Sequence, residues 1–198
     1  MYATKITLFF LGLLIFSACR ADITTGVDES AKLPYWEWRD INFELRLIQR
    51  LPDQSRAFFM GRKFSKDNAE LIAQNCIFQT IFKNKSDEKY PAMIDYNLND
   101  WKIISDGKAR AIKTRESWLQ ELKSKNVSQS SLIALEWGLL PTKQKYISGD
   151  YNWGMISFGL PPESHFDLNI KILVNGQPVN AIIPAIECAP DLHIEPEN

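Results

Sequence analysis

The chain has 198 residues, 45% of them hydrophobic, which is enough for one domain with a substantial core. Its 23 basic and 24 acidic residues are interspersed without a basic block, so the composition predicts no nucleic-acid partner bound through phosphate neutralisation. Two histidines and three cysteines leave little material for acid–base or metal chemistry.

In chain order, Lys5 supplies a positive start and Ile6 to Phe16 form an apolar run. A membrane-spanning helix needs about 20 apolar residues, so this run is short and suits the core of an export signal. The small residues Ser17 and Ala18 follow, and then Cys19. The order of features resembles the lipobox of bacterial lipoproteins, although Phe16 stands where leucine is usual. The resemblance covers only residues 1–19. It implies a signal peptide over 1–18, cleaved before Cys19, and a lipid on Cys19 that attaches the protein to a membrane. Two or more acyl chains are what stable anchoring requires. The competing readings are an ordinary secretory signal cut later, for instance after Ala21, and an uncleaved anchor. Position 20 is Arg, not the Asp that resembles an inner-membrane retention signal, so the outer membrane is the expected destination, with the domain facing the periplasm.

With Cys19 given to lipid, Cys76 and Cys188 remain. An exported protein in an oxidising compartment is expected to pair them. Two buried free thiols, or a metal or redox pair, are the alternatives.

Residues 19–33 then read as the lipidated cysteine and a flexible polar tether, 34–190 as a single globular domain and 191–198 as a tail. Ile41, Phe43, Leu45 and Leu47 alternate with polar residues and predict a strand. Residues 57–60 suggest a short helical turn. Ser65 predicts a helix cap, with Asp67 and Glu70 toward the positive end and Ala69, Leu71, Ile72 and Ala73 as its apolar face. Residues 77–82 predict a core strand, and 92–98 and 100–105 predict two strands around a turn at Asn99-Asp100. Asp106-Gly107 is a turn signal. Thr114 caps a second predicted helix that buries Trp118, Leu119 and Leu122. Residues 128–133 suggest a further short helix, and 134–140 a strand through Leu135, Trp137 and Leu139. Residues 155–160 predict another strand. Two more, from Phe166 to Ile172 and from Val179 to Ile186, flank Asn175-Gly176, a strong hairpin signal. The expected fold is α+β: an antiparallel sheet or β-sandwich, the immunoglobulin-like sandwich being one form of it, with two packed helices and one disulfide.

Asp150, Tyr151, Asn152 and Trp153, between Gly149 and Gly154, are the candidate binding surface, together with the Pro161-Pro162 edge. Glycines permit close backbone approach, and Tyr and Trp are frequent anchors at interfaces. The bland reading is a loop whose aromatics close one end of the core. Tyr35, Trp36 and Trp38 form a second aromatic cluster, read either as a membrane- or partner-facing patch or as core. Glu163, His165 and Asp167 would share one face of a strand, but a surface histidine is the simpler reading. No hydrolase elbow, phosphate loop or zinc motif is present, so no catalytic residue, cofactor or metal site is predicted. The expected function is a membrane-anchored periplasmic binding or assembly-accessory lipoprotein with a protein partner. The alternatives are an enzyme with an unrecognised site and a periplasmic copper carrier using Met60, Met155 and the histidines.

Overall fold

A computed structural model describes residues 22–192; the signal segment 1–18, Cys19 and His193 lie outside the described residues. The chain begins with β1 (Asp22–Val27) and β2 (Pro34–Arg39), joined by a turn in which the Asp28 carboxylate accepts from the Ser30 and Ala31 N–H groups. β3 (Phe43–Gln49) follows. Proline then opens α1 (Pro52–Met60) at a position where its missing N–H has no helical partner to lose. Ser65 caps α2 (Lys66–Ala73), its hydroxyl accepting from the Asn68 N–H at 3.3 Å. β4 (Ile77–Asn84) and β5 (Ile94–Asn97) precede a single 3₁₀ turn at Leu98–Asp100. β6 (Lys102–Ser105) and β7 (Lys108–Ala111) form a hairpin over Asp106-Gly107, both in the left-handed region at φ 52° and 69°. Thr114 and Ser128 cap α3 (Arg115–Ser124) and α4 (Gln129–Gly138). Four strands close the described chain: β8 (Lys143–Tyr146), β9 (Tyr151–Ser157), β10 (His165–Val174) and β11 (Gln177–Glu187).

These strands make two antiparallel sheets. The first runs β1-β2-β3-β4-β9. In the second, β10 carries β11 along one edge and both β5 and β6 along the other, with β8 and β7 outside them. Alternation puts Trp36, Trp38, Leu45, Leu47, Phe78 and Phe82 on the inner face of the first sheet. They meet Ile103, Phe166, Leu168, Ile170 and Ile183 from the second in one buried cluster. The result is a β-sandwich, with the period of two on each strand matched to a single shared core. The four helices form a third layer on the outer face of the first sheet, where Phe59, Ile72, Trp118, Leu122 and Leu135 pack on Ile77 and Met155.

The expected helices at Ser65 and Thr114 are α2 and α3. The short turn expected at 57–60 is a full helix from Pro52. The strand expected over 134–140 is corrected to the end of α4: Leu132, Leu135 and Leu139 fall on one helical face, and the Leu135/Leu139 spacing fits both periods. Residues 22–33, expected within a flexible tether, instead hold β1 and its turn. β1 is exposed except at Ile23, which packs against the core, so backbone pairing to β2 builds it with almost no apolar alternation. The turn at Asn99-Asp100 does not fold the chain back, because β5 and β6 continue along the same edge of β10.

Cys76 and Cys188 form a disulfide, with Cα atoms 5.3 Å apart across a sequence separation of 112. It joins the start of β4 to the residue after β11, and so links the two sheets. Cys76 takes a left-handed conformation, φ 43°, as the chain leaves α2 for β4. Beside it, Arg56 of α1 grips the segment beyond Cys188: its Nη1 and Nη2 donate to both Asp191 oxygens at 2.8 and 2.6 Å, and Nη2 also donates to Glu70 at 2.9 Å.

Two predictions follow from this end of the molecule. Replacing Cys76 and Cys188 together by serine should lower stability by roughly 2–5 kcal/mol, because the open chain regains loop entropy; an unchanged urea midpoint would overturn the link's role. The hydrogen bonds from Arg56 hold the Glu70 carboxyl below its usual value. That contribution is complete above the unfolded carboxyl value of about 4.3 and is lost as pH falls through the lower folded value. Glu70→Gln should therefore flatten the acid limb of the stability profile below about pH 4.3, and identical acid limbs in urea titrations would contradict this.

Candidate functional site: a cleft of two arginines and two tryptophans

The segment singled out in the sequence is not a loop but a turn that runs into β9. Asp150 sits in the turn, where its carboxylate accepts from the Ile147 N–H at 3.0 Å and its carbonyl from the Asn84 N–H at 2.8 Å. Alternation along β9 then separates the other three. Tyr151 and Trp153 stand on the outer face, 68% and 61% exposed, while Asn152 is half-buried. The four residues do not converge, and the aromatics do not close the core. Pro161-Pro162 lies beyond the far end of β9, about 20 Å along the strand, and belongs to a different surface. In the second aromatic cluster Trp36 and Trp38 are core, and Tyr35 lies under the Arg46 guanidinium, 3.8 Å from the ring centre.

What does converge lies around Trp153. Cross-strand pairing sets Ile81 beside Trp153, and Gln79 beside Met155, on the outer face of the first sheet. The chain leaving α4 crosses the edge of β9 there, with the Leu140 N–H donating to the Met155 carbonyl at 2.9 Å. Leu139 points into the helix layer and Leu140 into the sandwich core. Only a residue without Cβ tolerates this crossing: a Cβ at Gly154 would lie 2.7 Å from the Leu140 nitrogen. Gly138 similarly leaves room for the Phe58 ring, 3.2 Å from where its Cβ would be. These two close approaches bring Trp137, 85% exposed at the end of α4, to the same hollow as Trp153.

The hollow has a volume of about 230 Å³ and is lined by Arg50, Phe58, Arg62, Gln79, Trp137 and Trp153, among others. The Arg62 guanidinium lies 3.4 Å from the Phe58 ring centre, and that of Arg50 lies 5.4 Å from the same ring. Arg50 donates to the Gln54 carbonyl and Arg62 to the Phe58 carbonyl, both at 3.0 Å. Neither forms an ion pair among the described residues, whereas Arg39, Arg46, Arg56 and Arg115 each face a carboxylate. The Arg50 Nε is buried without an acceptor among those residues. Burial, and secondarily the charge of Arg62, lowers the pKa of Arg50. β9 is the last strand of its sheet, and its edge at Tyr151–Trp153 carries no neighbouring strand among the described residues.

The other candidate chemistry is not assembled. His165 faces Glu187 across the β10–β11 pair at 3.9 Å, and the Asp167 carboxylate accepts from the Ala185 N–H at 2.9 Å. Glu163 is in the turn before β10. Met155 is buried under the helices on one side of the sandwich, and His165 is exposed on the other sheet. They cannot share an ion across two sheets packed about 10 Å apart. Among the described residues no group of three or more His, Cys, Asp or Glu could hold a metal.

Arg50, Phe58, Arg62 and Trp137 come together from distant positions, and the sequence reading did not single them out. One signal was available. Leu132, Leu135 and Leu139 already fill the buried stripe of α4, so a helical period leaves Trp137 outside it. No protein-family model, curated protein or solved structure matches the chain.

Trp153→Ala should cost less than about 1 kcal/mol of stability, while Trp101→Ala in the core should cost about 3–5 kcal/mol. Urea unfolding of the two variants checks this. A loss at Trp153 as large as at Trp101 would make it a structural residue.

Proposed function

We propose that the chain is a lipid-anchored binding protein of a bacterial cell envelope. Cys19 carries the lipid, the folded unit faces the periplasm from the outer membrane, and it serves there as a binding or assembly-accessory module for a protein partner. The observation that carries the binding role is the placement of the tryptophans. Of six in the chain, four are buried, and the two left in solvent line one hollow beside an open strand edge. Exposed aromatics grouped on a rigid scaffold are the usual anchors of recognition, whereas a solitary exposed apolar residue has no such meaning. Support for the compartment comes from the lipobox-like residues 16–19 and from the Cys76–Cys188 bridge, a bond that persists in oxidising surroundings.

The anchor has a direct test. In a bacterial host, radiolabelled palmitate should be incorporated into the wild-type chain, and Cys19→Ala should abolish the label and move the protein from the membrane to the soluble fraction with its disulfide intact. Persistent membrane association of the unlabelled variant would overturn the lipid anchor.

A further inference from the structure

We propose that the hollow between α1, the end of α4 and β9 is a binding site for a six-membered ring carrying a carboxylate or phosphate. The inference rests on the reading of the chain as a binding protein and narrows it: at this hollow the ligand is a small anionic ring, and a protein partner would meet another part of the surface.

Charge is the first argument. Arg50 and Arg62 come from the end of β3 and from just beyond α1, and both reach toward the Phe58 ring. Like charges held together in a half-enclosed place repel, and here no carboxylate among the described residues offsets them. The neighbouring hollow contains Asp28, but that carboxylate is occupied by Ser30, Ala31 and Arg46. The buried Arg50 Nε–H is a donor with no acceptor. A guanidinium offers several N–H groups in a rigid fork that matches two oxygens of one oxyanion. An incoming carboxylate or phosphate would accept from guanidinium N–H groups that line the hollow and screen the two charges from each other; the Arg50 Nε–H itself is out of contact with solvent.

Shape is the second argument. The hollow is about 230 Å³, room for one ring and not for an extended chain. Trp137 and Trp153 line it from α4 and β9, so the apolar face of a ring can lie on an indole while its anionic substituent meets the arginines. Phe58, already covered by Arg62, fixes the direction of that guanidinium. Gln79 adds a neutral polar group at the floor.

Two other places among the described residues lack this combination. The larger hollow on the second sheet, about 460 Å³, is lined by Asp95 and Asp100 as well as Lys143, Lys145 and Lys171, and Lys145 already faces Asp95. The buried Glu37 has the guanidinium groups of Arg39 and Arg46 within ion-pair range, so opposite charge already faces it.

The test uses the full chain in detergent and three probes: glucuronate, glucose 6-phosphate and neutral glucose. Because only Trp137 and Trp153 are exposed, tryptophan fluorescence reports on the hollow. At least one of the two anions should change it saturably, glucose should not, and Arg50→Gln and Arg62→Gln should each weaken the response about tenfold or more. A response to glucuronate alone assigns a carboxylate, and one to glucose 6-phosphate alone a phosphate. Arg62 is exposed, so its variant remains informative where Arg50→Gln lowers the melting temperature. The proposal is overturned by no response to either anion at about 10 mM, by an equal response to glucose, or by an unchanged response in Arg62→Gln. Lipidation plays no part in this measurement, so its failure leaves the anchor standing, and failure of the anchor leaves the hollow standing.

Discussion

The bond between Cys76 and Cys188 decides how the two sheets face each other. Cys76 is where the chain turns out of the helix layer into β4, and Cys188 is where it leaves β11. Next to the bridge an aromatic relay crosses the sandwich, from Phe78 on β4 to Phe158 and then to Phe166 on β10, with ring centres 5.4 and 4.7 Å apart. The β10–β11 hairpin supports the rest of the second sheet, so fixing its end fixes the sheet. Arg56 extends the same constraint into the third layer by tying Asp191 to α1 and α2. Covalent linkage, apolar burial and a charged clamp thus act on one corner, where three layers meet.

The parts of this fold legible in the sequence are those whose local pattern and tertiary role agree. β10 buries one face, so its alternation is plain, and β3 keeps the alternation of apolar and polar residues from Phe43 to Leu47 although both its faces are covered. Asn175-Gly176 marks the hairpin because both residues must be left-handed, at φ 51° and 78°. Ser65 and Thr114 mark helix starts because their hydroxyls accept N–H groups that the helix leaves free. The illegible parts depend on something remote. β1 depends on backbone pairing to β2 with Ile23 as its one side chain against the core, and β7 is exposed throughout. β8 owes its place to pairing with β5 and to one buried side chain, Tyr146, too little pattern for four residues to reveal. In α4, Leu135 and Leu139 satisfy two periods at once, and only Leu132 separates them. The candidate site was half visible for the same reason. Trp153 and Tyr151 stood out by composition, but the arginines that give the hollow its charge are ordinary in sequence and are marked only by being brought together in space without a carboxylate among the described residues.

Arg56 and the Arg50–Arg62 pair lie close in sequence and show opposite treatments of the same side chain. Arg56 is enclosed by Asp53, Glu70 and Asp191, and its charge is strongly favoured. Arg50 is half-buried with a donor unmet. A buried donor left without an acceptor costs on the order of 1–3 kcal/mol. The sandwich tolerates that cost at the border of the helix layer, where the covering elements stop short of the sheet edge and the backbone crossing at Gly154 holds the opening apart.

β1 has one more consequence, a matter of reach. Asp22, its first residue, comes three positions after Cys19. Three residues span at most about 11 Å in any conformation. The Cys19 backbone therefore lies within that distance of the edge of the first sheet. If Cys19 carries the lipid proposed above, the link is short, and the sandwich would be held close to the bilayer by its outermost strand.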